Sequence, residues 1–237
     1  PKWKRDLARA FTRPVDLLDA VGLDYTLLPA ALAAADGFRL LVPRGYAALI
    51  ERGNPRDPLL RQVLPLKEEL GEHPGFLHDP VGDQAALSAP GLLQKYGGRA
   101  LLMVTGACAL HCRYCFRRHF PYDDYGAQND RGAAALAQLA ESPDVVEVIL
   151  SGGDPLMLDD TGLINLITKL QAIRHLKRLR VHTRMPVVLP SRITPALCDV
   201  LTNCHLTPVI VVHVNHHQEL GAEASAAWAP LRTPRLA

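Results

Sequence analysis

Ala100-Leu-Leu-Met-Val-Thr-Gly-Ala-Cys-Ala-Leu-His-Cys-Arg-Tyr-Cys-Phe-Arg-Arg-His119 sets the organisation of the chain. Its first six residues form an apolar run of strand length. A loop carrying Cys108, Cys112 and Cys115 in C-x₃-C-x₂-C spacing follows at once. Three thiolates at that spacing can hold three corners of a cubane [4Fe–4S] cluster, leaving one iron without a protein ligand. Clusters that only carry electrons use four cysteines. An open corner therefore points to chemistry at that iron. Two other readings stand beside it: structural zinc with a fourth ligand such as His111 or His119, and unpaired thiols. Zinc ligands usually come as two separated pairs, and no second pair occurs here. Five cysteines, an odd number, with no secretory leader speak against a disulfide framework.

Downstream, the apolar runs 145–150, 179–183 and 208–214 repeat the strand pattern. Helical segments at about 132–141, 159–173 and 194–204 separate them. Leu163, Leu166, Ile167 and Leu170 make one apolar stripe, as expected of a helix packed on a sheet. Four strands alternating with helices predict an α/β fold with a parallel sheet, either doubly wound or part of a barrel. The ligand site of such a fold lies at the carboxyl ends of its strands.

Polar residues collect at those ends: the cysteine loop, Ser151-Gly-Gly-Asp-Pro155, His182-Thr-Arg184 and His213-Val-Asn-His216. Gly152 and Gly153 let backbone approach a ligand, Ser151 suits an ammonium group, and Asp154 adds charge. The alternative is an ordinary turn in which Asp154 or Asp159 caps a helix. Arg184 suits a carboxylate, which a guanidinium binds through two parallel hydrogen bonds; the alternative, and the commoner case for an arginine taken alone, is a solvated surface residue. Cys198 and Cys204 read as packing residues.

Residues 1–90 read as a helical N-terminal region broken by Pro and Gly, whose expected job is to cover something; residues 91–237 hold the sheet. With 237 residues and 48% hydrophobic composition the chain can bury one core. A net charge of +2 gives no case for a nucleic-acid partner, and no apolar run is long enough for a membrane span. Reduced thiols without a leader indicate a cytoplasmic protein.

The cysteine triplet, with Tyr114 before its last member, resembles the radical S-adenosylmethionine superfamily. Cys108 to Pro121, Ser151 to Leu156 and Arg192-Ile-Thr-Pro195 are similar to the lysine 2,3-aminomutase family. Asn54 to Val63, Pro90 to Tyr96 and Cys115 to Pro121 look most like its elongation factor P β-lysylation branch. The resemblance covers nearly the whole chain. It implies a partial TIM-like (βα) radical SAM barrel, about four of six units, after the helical region.

The resemblance also implies S-adenosylmethionine bound at the open iron and cleaved reductively by an external electron donor to a 5′-deoxyadenosyl radical. That radical takes a hydrogen from L-lysine held on pyridoxal phosphate, and the amino group moves from the α to the β carbon. The implied product is (R)-β-lysine, passed to the elongation factor P ligase. By position, Cys108, Cys112 and Cys115 match the cluster ligands, and Tyr114 the adenine contact. Ser151, Gly152, Gly153 and Asp154 match the motif near the methionine amine. Arg184 and His213 match nucleoside- or methionine-side positions, and Arg117 the substrate carboxylate site. Arg99 and Lys95 match cations near the cofactor phosphate. The chain departs from the family in lacking the lysine that anchors pyridoxal phosphate, since Lys2, Lys4, Lys67, Lys95, Lys169 and Lys177 all lie upstream of its place. The expectation is a C-terminally truncated product with an open strand edge, prone to aggregation and doubtful in turnover. Two further readings are a radical enzyme using another substrate without pyridoxal phosphate, and a zinc-stabilised binding module.

Overall fold

A computed structural model describes residues 1–71, 74–122 and 131–231. A six-stranded sheet runs in the order β1 (Leu87–Ala89), β2 (Leu92–Tyr96), β3 (Arg99–Thr105), β4 (Glu147–Gly152), β5 (Arg178–Thr183) and β6 (Thr207–Val212). β1, β2 and β3 pair antiparallel, and β3 to β6 are parallel. The four parallel strands are the four expected from the sequence. The antiparallel pair β1–β2 is an addition to that reading, and β1 lies within the stretch read as helical. Gly97 and Gly98, the latter at φ +77°, turn the chain from β2 back into β3.

Around the sheet lie α1 (Lys2–Ala8), α2 (Pro14–Val21), α3 (Leu28–Gly37), α4 (Arg44–Ala47), α5 (Leu60–Val63), α6 (Arg131–Ala140), α7 (Asp160–Gln171), α8 (Met185–Val188), α9 (Pro195–Thr202) and α10 (Ala222–Trp228). Local chemistry sets several of their ends. Pro14 opens α2 and Gly22, at φ +70°, closes it. Asp159 caps α7 by accepting from Gly162 N, and Thr194 caps α9 by accepting from Leu197 N. The α7 stripe buries Leu163, Ile167 and Leu170, as its periodicity predicts, with Leu166 packed at its margin.

Alternation along each strand divides the sheet into two faces. Ala100, Leu102, Val104, Val148, Leu150, Leu179 and Val181 face the helices in one continuous core. The other face is concave and far more polar. Its rows follow the register: Arg99, Glu147, Arg178 and Thr207 at the amino end, then Leu101, Ile149, Arg180 and Val209. The next row towards the carboxyl end holds Met103, Ser151, His182 and Val211, below the rim. β6 ends the sheet, and no described residue pairs its outer edge. No described helix is long and apolar enough to cross a membrane. The tail beyond Leu231 lies outside the described residues.

Candidate functional site

A cavity of about 580 Å³ opens at the carboxyl ends of the parallel strands. Cys108 and Cys112, Arg117, Ser151, Gly153, Asp154, His182, Arg184 and His213 all reach its lining, with Ala109, Leu110, Phe116, Val188, Val211 and Val212 as apolar wall. Four strand tips thus converge as the alternation of strands and helices predicted.

The cysteine loop is shaped from outside itself. His111 N donates to Leu41 O at 3.0 Å and Arg113 N to Gln62 O at 2.8 Å. Arg113 is buried, forks onto Glu69 and donates to Phe38 O at 2.6 Å; Arg118 also reaches Glu69, at 2.8 Å. Both guanidinium groups lie over the Phe38 ring, at 4.9 and 4.8 Å from its centroid. Burial works against the Glu69 carboxylate, but hydrogen bonds from Arg113, Leu66 N and Arg118 hold its pKa below the ordinary value. The helical N-terminal region therefore covers and fixes the loop that carries the thiols.

Burial pushes the Cys108 thiol well above its usual range, and charge on Asp154, Cys112 and Cys115 adds to the shift. Burial raises Cys115 as well, with Cys112 contributing. Cys108 and Cys115 thus share one electrostatic neighbourhood with Cys112, in which a bound metal would favour the thiolate form. Among the described residues no three His, Cys, Asp or Glu side chains converge on a single-ion site. Three neighbouring thiols are the donor set that a [4Fe–4S] cluster with one open corner would take.

Gly152 and Gly153 allow a close approach of protein backbone. A Cβ on Gly152, at φ +114°, would stand 2.5 Å from Thr105 O, and one on Gly153 would stand 2.2 Å from Ala107 O. Gly153 N donates to Thr105 O at 2.7 Å and Asp154 N to Ala107 O at 2.8 Å, tying the exit of β4 to the start of the cysteine loop. Asp154 is likewise engaged internally. Its oxygens accept from Thr183 Oγ1, Arg184 N and Leu156 N at 2.8 to 3.0 Å, so the capping alternative describes its bonding. Burial raises its pKa against those bonds.

Arg117 is held from two sides. Nε donates to Asp83 Oδ2 at 2.7 Å and Nη1 to Ser151 Oγ at 3.1 Å. Ser151 is thereby a partner of Arg117, a role its strand-tip position alone did not indicate. Lys95 Nζ is held by Asp83 Oδ1 and Val81 O. Arg99 does not reach the rim: six residues before Thr105, it stands about 20 Å down the strand, on the concave face beside Glu147. His182 projects into the same space, its pKa lowered by burial and then by Arg180 and Arg117.

Arg184 Nη1 donates to Cys112 Sγ at 2.8 Å and to Tyr114 OH at 2.6 Å. Nη2 donates to Glu219 Oε1 at 2.9 Å and to Gln62 Oε1 at 3.2 Å. Tyr46 OH donates to the same Glu219 oxygen at 3.0 Å. Burial opposes the charged form of Arg184, yet Cys112, Tyr114 and Glu219 around it raise its pKa. Arg184 Nε is buried without a partner among the described residues. An unanswered donor on a cavity-lining arginine suits an anionic group such as a carboxylate. Tyr114 meets His213 edge-on, ring centroids 6.1 Å apart, and His213 Nε2 lies 2.6 Å from Asn215 Oδ1.

Asp83, Gln62, Glu219 and Tyr46 are neighbours of these groups that the sequence reading did not single out. Gln62 lies within the stretch Asn54–Val63, and Glu219 shortly after His213–His216. Cys198 and Cys204 sit on and after α9, away from the cavity, as expected.

The family model described as the Radical SAM superfamily matches residues 102–223. L-lysine 2,3-aminomutase of Escherichia coli (strain K12) is 46% identical over 231 residues, 97% of this chain and 67% of that protein. The proteins of the same name from Haemophilus influenzae and Buchnera aphidicola are 44% and 40% identical, over 92% and 93% of this chain. The chain spans 64% and 65% of their lengths, about two thirds.

Proposed function

The chain belongs to the radical S-adenosylmethionine superfamily and, within it, to the lysine 2,3-aminomutase family, and from that premise we propose that it moves the α-amino group of L-lysine to the β carbon. The observation that carries the reading is the convergence of Cys108 and Cys112 with Arg117 on one cavity, Arg117 being locked by Asp83 and Ser151. Cys108, Cys112 and Cys115 would hold a [4Fe–4S] cluster. S-adenosylmethionine bound beside it would supply, on one-electron reduction by an external donor, a radical able to remove a hydrogen atom.

The chain's own residues position the reactants. Arg184, with its unanswered Nε, and His213 border the space for S-adenosylmethionine, and Tyr114 lies beside them. Arg117 presents its remaining N–H edge to the substrate carboxylate. The apolar wall from Ala109 to Val212 keeps water from a radical.

Pyridoxal phosphate fits less well. Arg99, Arg178 and Arg180 place cations on the concave face, but no lysine lines the cavity, and Lys95 is engaged by Asp83. A second reading is a radical enzyme on another substrate without pyridoxal phosphate. The elongation factor P role is supported by the motifs Asn54–Val63 and Cys115–Pro121. All five cysteines are free, which supports a reducing, cytoplasmic setting.

Anaerobic reconstitution with iron and sulfide, then incubation with S-adenosylmethionine, a strong reductant, L-lysine and pyridoxal phosphate, tests the proposal. β-Lysine and 5′-deoxyadenosine are the expected products. 5′-Deoxyadenosine without β-lysine would favour the second reading, and bound zinc without sulfide would overturn both.

A further inference from the structure

Arg184 is one guanidinium stretched between a cysteine of the triplet and a fully buried carboxylate. Nη1 donates to Cys112 Sγ, while Nη2 is held by Glu219 Oε1 and Gln62 Oε1. Glu219 has no exposure to solvent and is fixed in turn by Tyr46 OH and by Asn215 N, at 3.0 and 3.1 Å. The carboxylate therefore has no freedom to follow a wandering arginine, and Arg184 is oriented by Glu219 rather than the reverse. A charged donor on a cluster thiolate stabilises the reduced cluster, because reduction adds negative charge that the ligand sulfurs share. Hydrogen bonds to sulfur and local net charge are among the main determinants of such potentials.

We propose that Glu219 is a positioning residue that holds Arg184 on Cys112 Sγ, and that this contact raises the reduction potential of the cluster. The inference rests on the reading of Cys108, Cys112 and Cys115 as cluster ligands. In the step concerned the cluster takes one electron from an external low-potential reductant, and Arg184 keeps its proton. Tyr46 and Gln62 tie the N-terminal helical region into the same device, so the setting depends on the docking of that region as well as on the loop.

Glu219 offers a test by sign. Loss of its negative charge, acting through space alone, would raise the cluster potential. Loss of its hold on Arg184 lowers it. Reductive titration of the anaerobically reconstituted chain, followed by electron paramagnetic resonance, reads the difference. The expected results are a lower midpoint in Arg184→Gln, a smaller lowering in Glu219→Gln, and no further lowering when both are combined. Arg184→Lys keeps the charge but cannot span Cys112 and Glu219 together; it falls between wild type and Arg184→Gln and serves if the glutamine variant does not fold. An unchanged midpoint in both Arg184 variants, or a raised one in Glu219→Gln, would overturn the inference. Wild-type protein that takes up no iron and sulfide would instead refute the reading of the triplet.

Discussion

Asp83 Oδ2 accepts from Arg117 Nε at 2.7 Å, and its other oxygen takes Lys95 Nζ. Asp83 is buried, so Arg117 is aimed by a carboxylate that cannot turn to water. Loosening that aim weakens carboxylate recognition without touching the thiols. Asp83→Asn should raise the KM for L-lysine by about tenfold, equivalent to about 1.4 kcal/mol, with cluster content unchanged. Steady-state kinetics with iron analysis checks this, and a loss of iron would show that Asp83 supports the loop instead.

Cys112 is the member of the triplet that meets Arg184. Cys112→Ala should abolish cluster formation, read as loss of iron and acid-labile sulfide and of visible charge-transfer absorption. A variant that loads fully would remove Cys112 from the ligand set.

Gly153 brings the β4 exit within bonding distance of the cysteine loop. Gly153→Ala drives a methyl group to 2.2 Å from Ala107 O, a backbone atom that no side-chain rotation can move. The expected cost is about 1–3 kcal/mol, with poorer iron loading because the loop start is displaced. Urea unfolding together with iron content tests both parts.

Glu147 anchors the amino end of the concave face, accepting from Arg180 Nε and Arg178 Nη1, each at 2.7 Å. Arg180, then Arg178, outweighs its burial and holds its pKa below the ordinary value. Its contribution is fully present above the unfolded-state pKa of about 4.3. It is lost as pH falls through the lower folded value, because the unfolded chain binds the proton first. Glu147→Gln should cost about 1–3 kcal/mol near neutrality. The gap to wild type should narrow below pH of about 4.3. Denaturant midpoints measured across that range decide it.

What the sequence showed was set by local chemistry. Ala100–Thr105 and the cysteine spacing need only neighbouring residues to be read, and both stand where expected. The expected strand 145–150 lies two residues later in the structure, because Val145 N closes a turn onto Ser142 O and Val146 N and Glu147 N then share Gly98 O. The β1–β2 pair was legible in principle: Pro90-Gly91 and Gly97-Gly98 are turn signals flanking Leu92–Tyr96. The prolines nearby drew the reading towards loops. The contacts of Arg184 with Cys112 and Glu219 span 72 and 35 residues. They exist only once the sheet is assembled, so no window of sequence contains them. Asp154 shows the converse: both readings of it were legible, and its bonding follows the capping one.

The clasp around the cysteine loop also has a direction in time. Phe38, Leu41, Gln62 and Glu69 are made before the residues they grip, and chains are synthesised from the amino end. Arg184 and Glu219 follow only after several dozen more residues. The loop is thus gripped by residues that precede it in the chain and closed over by residues that follow it, so the complete clasp needs both.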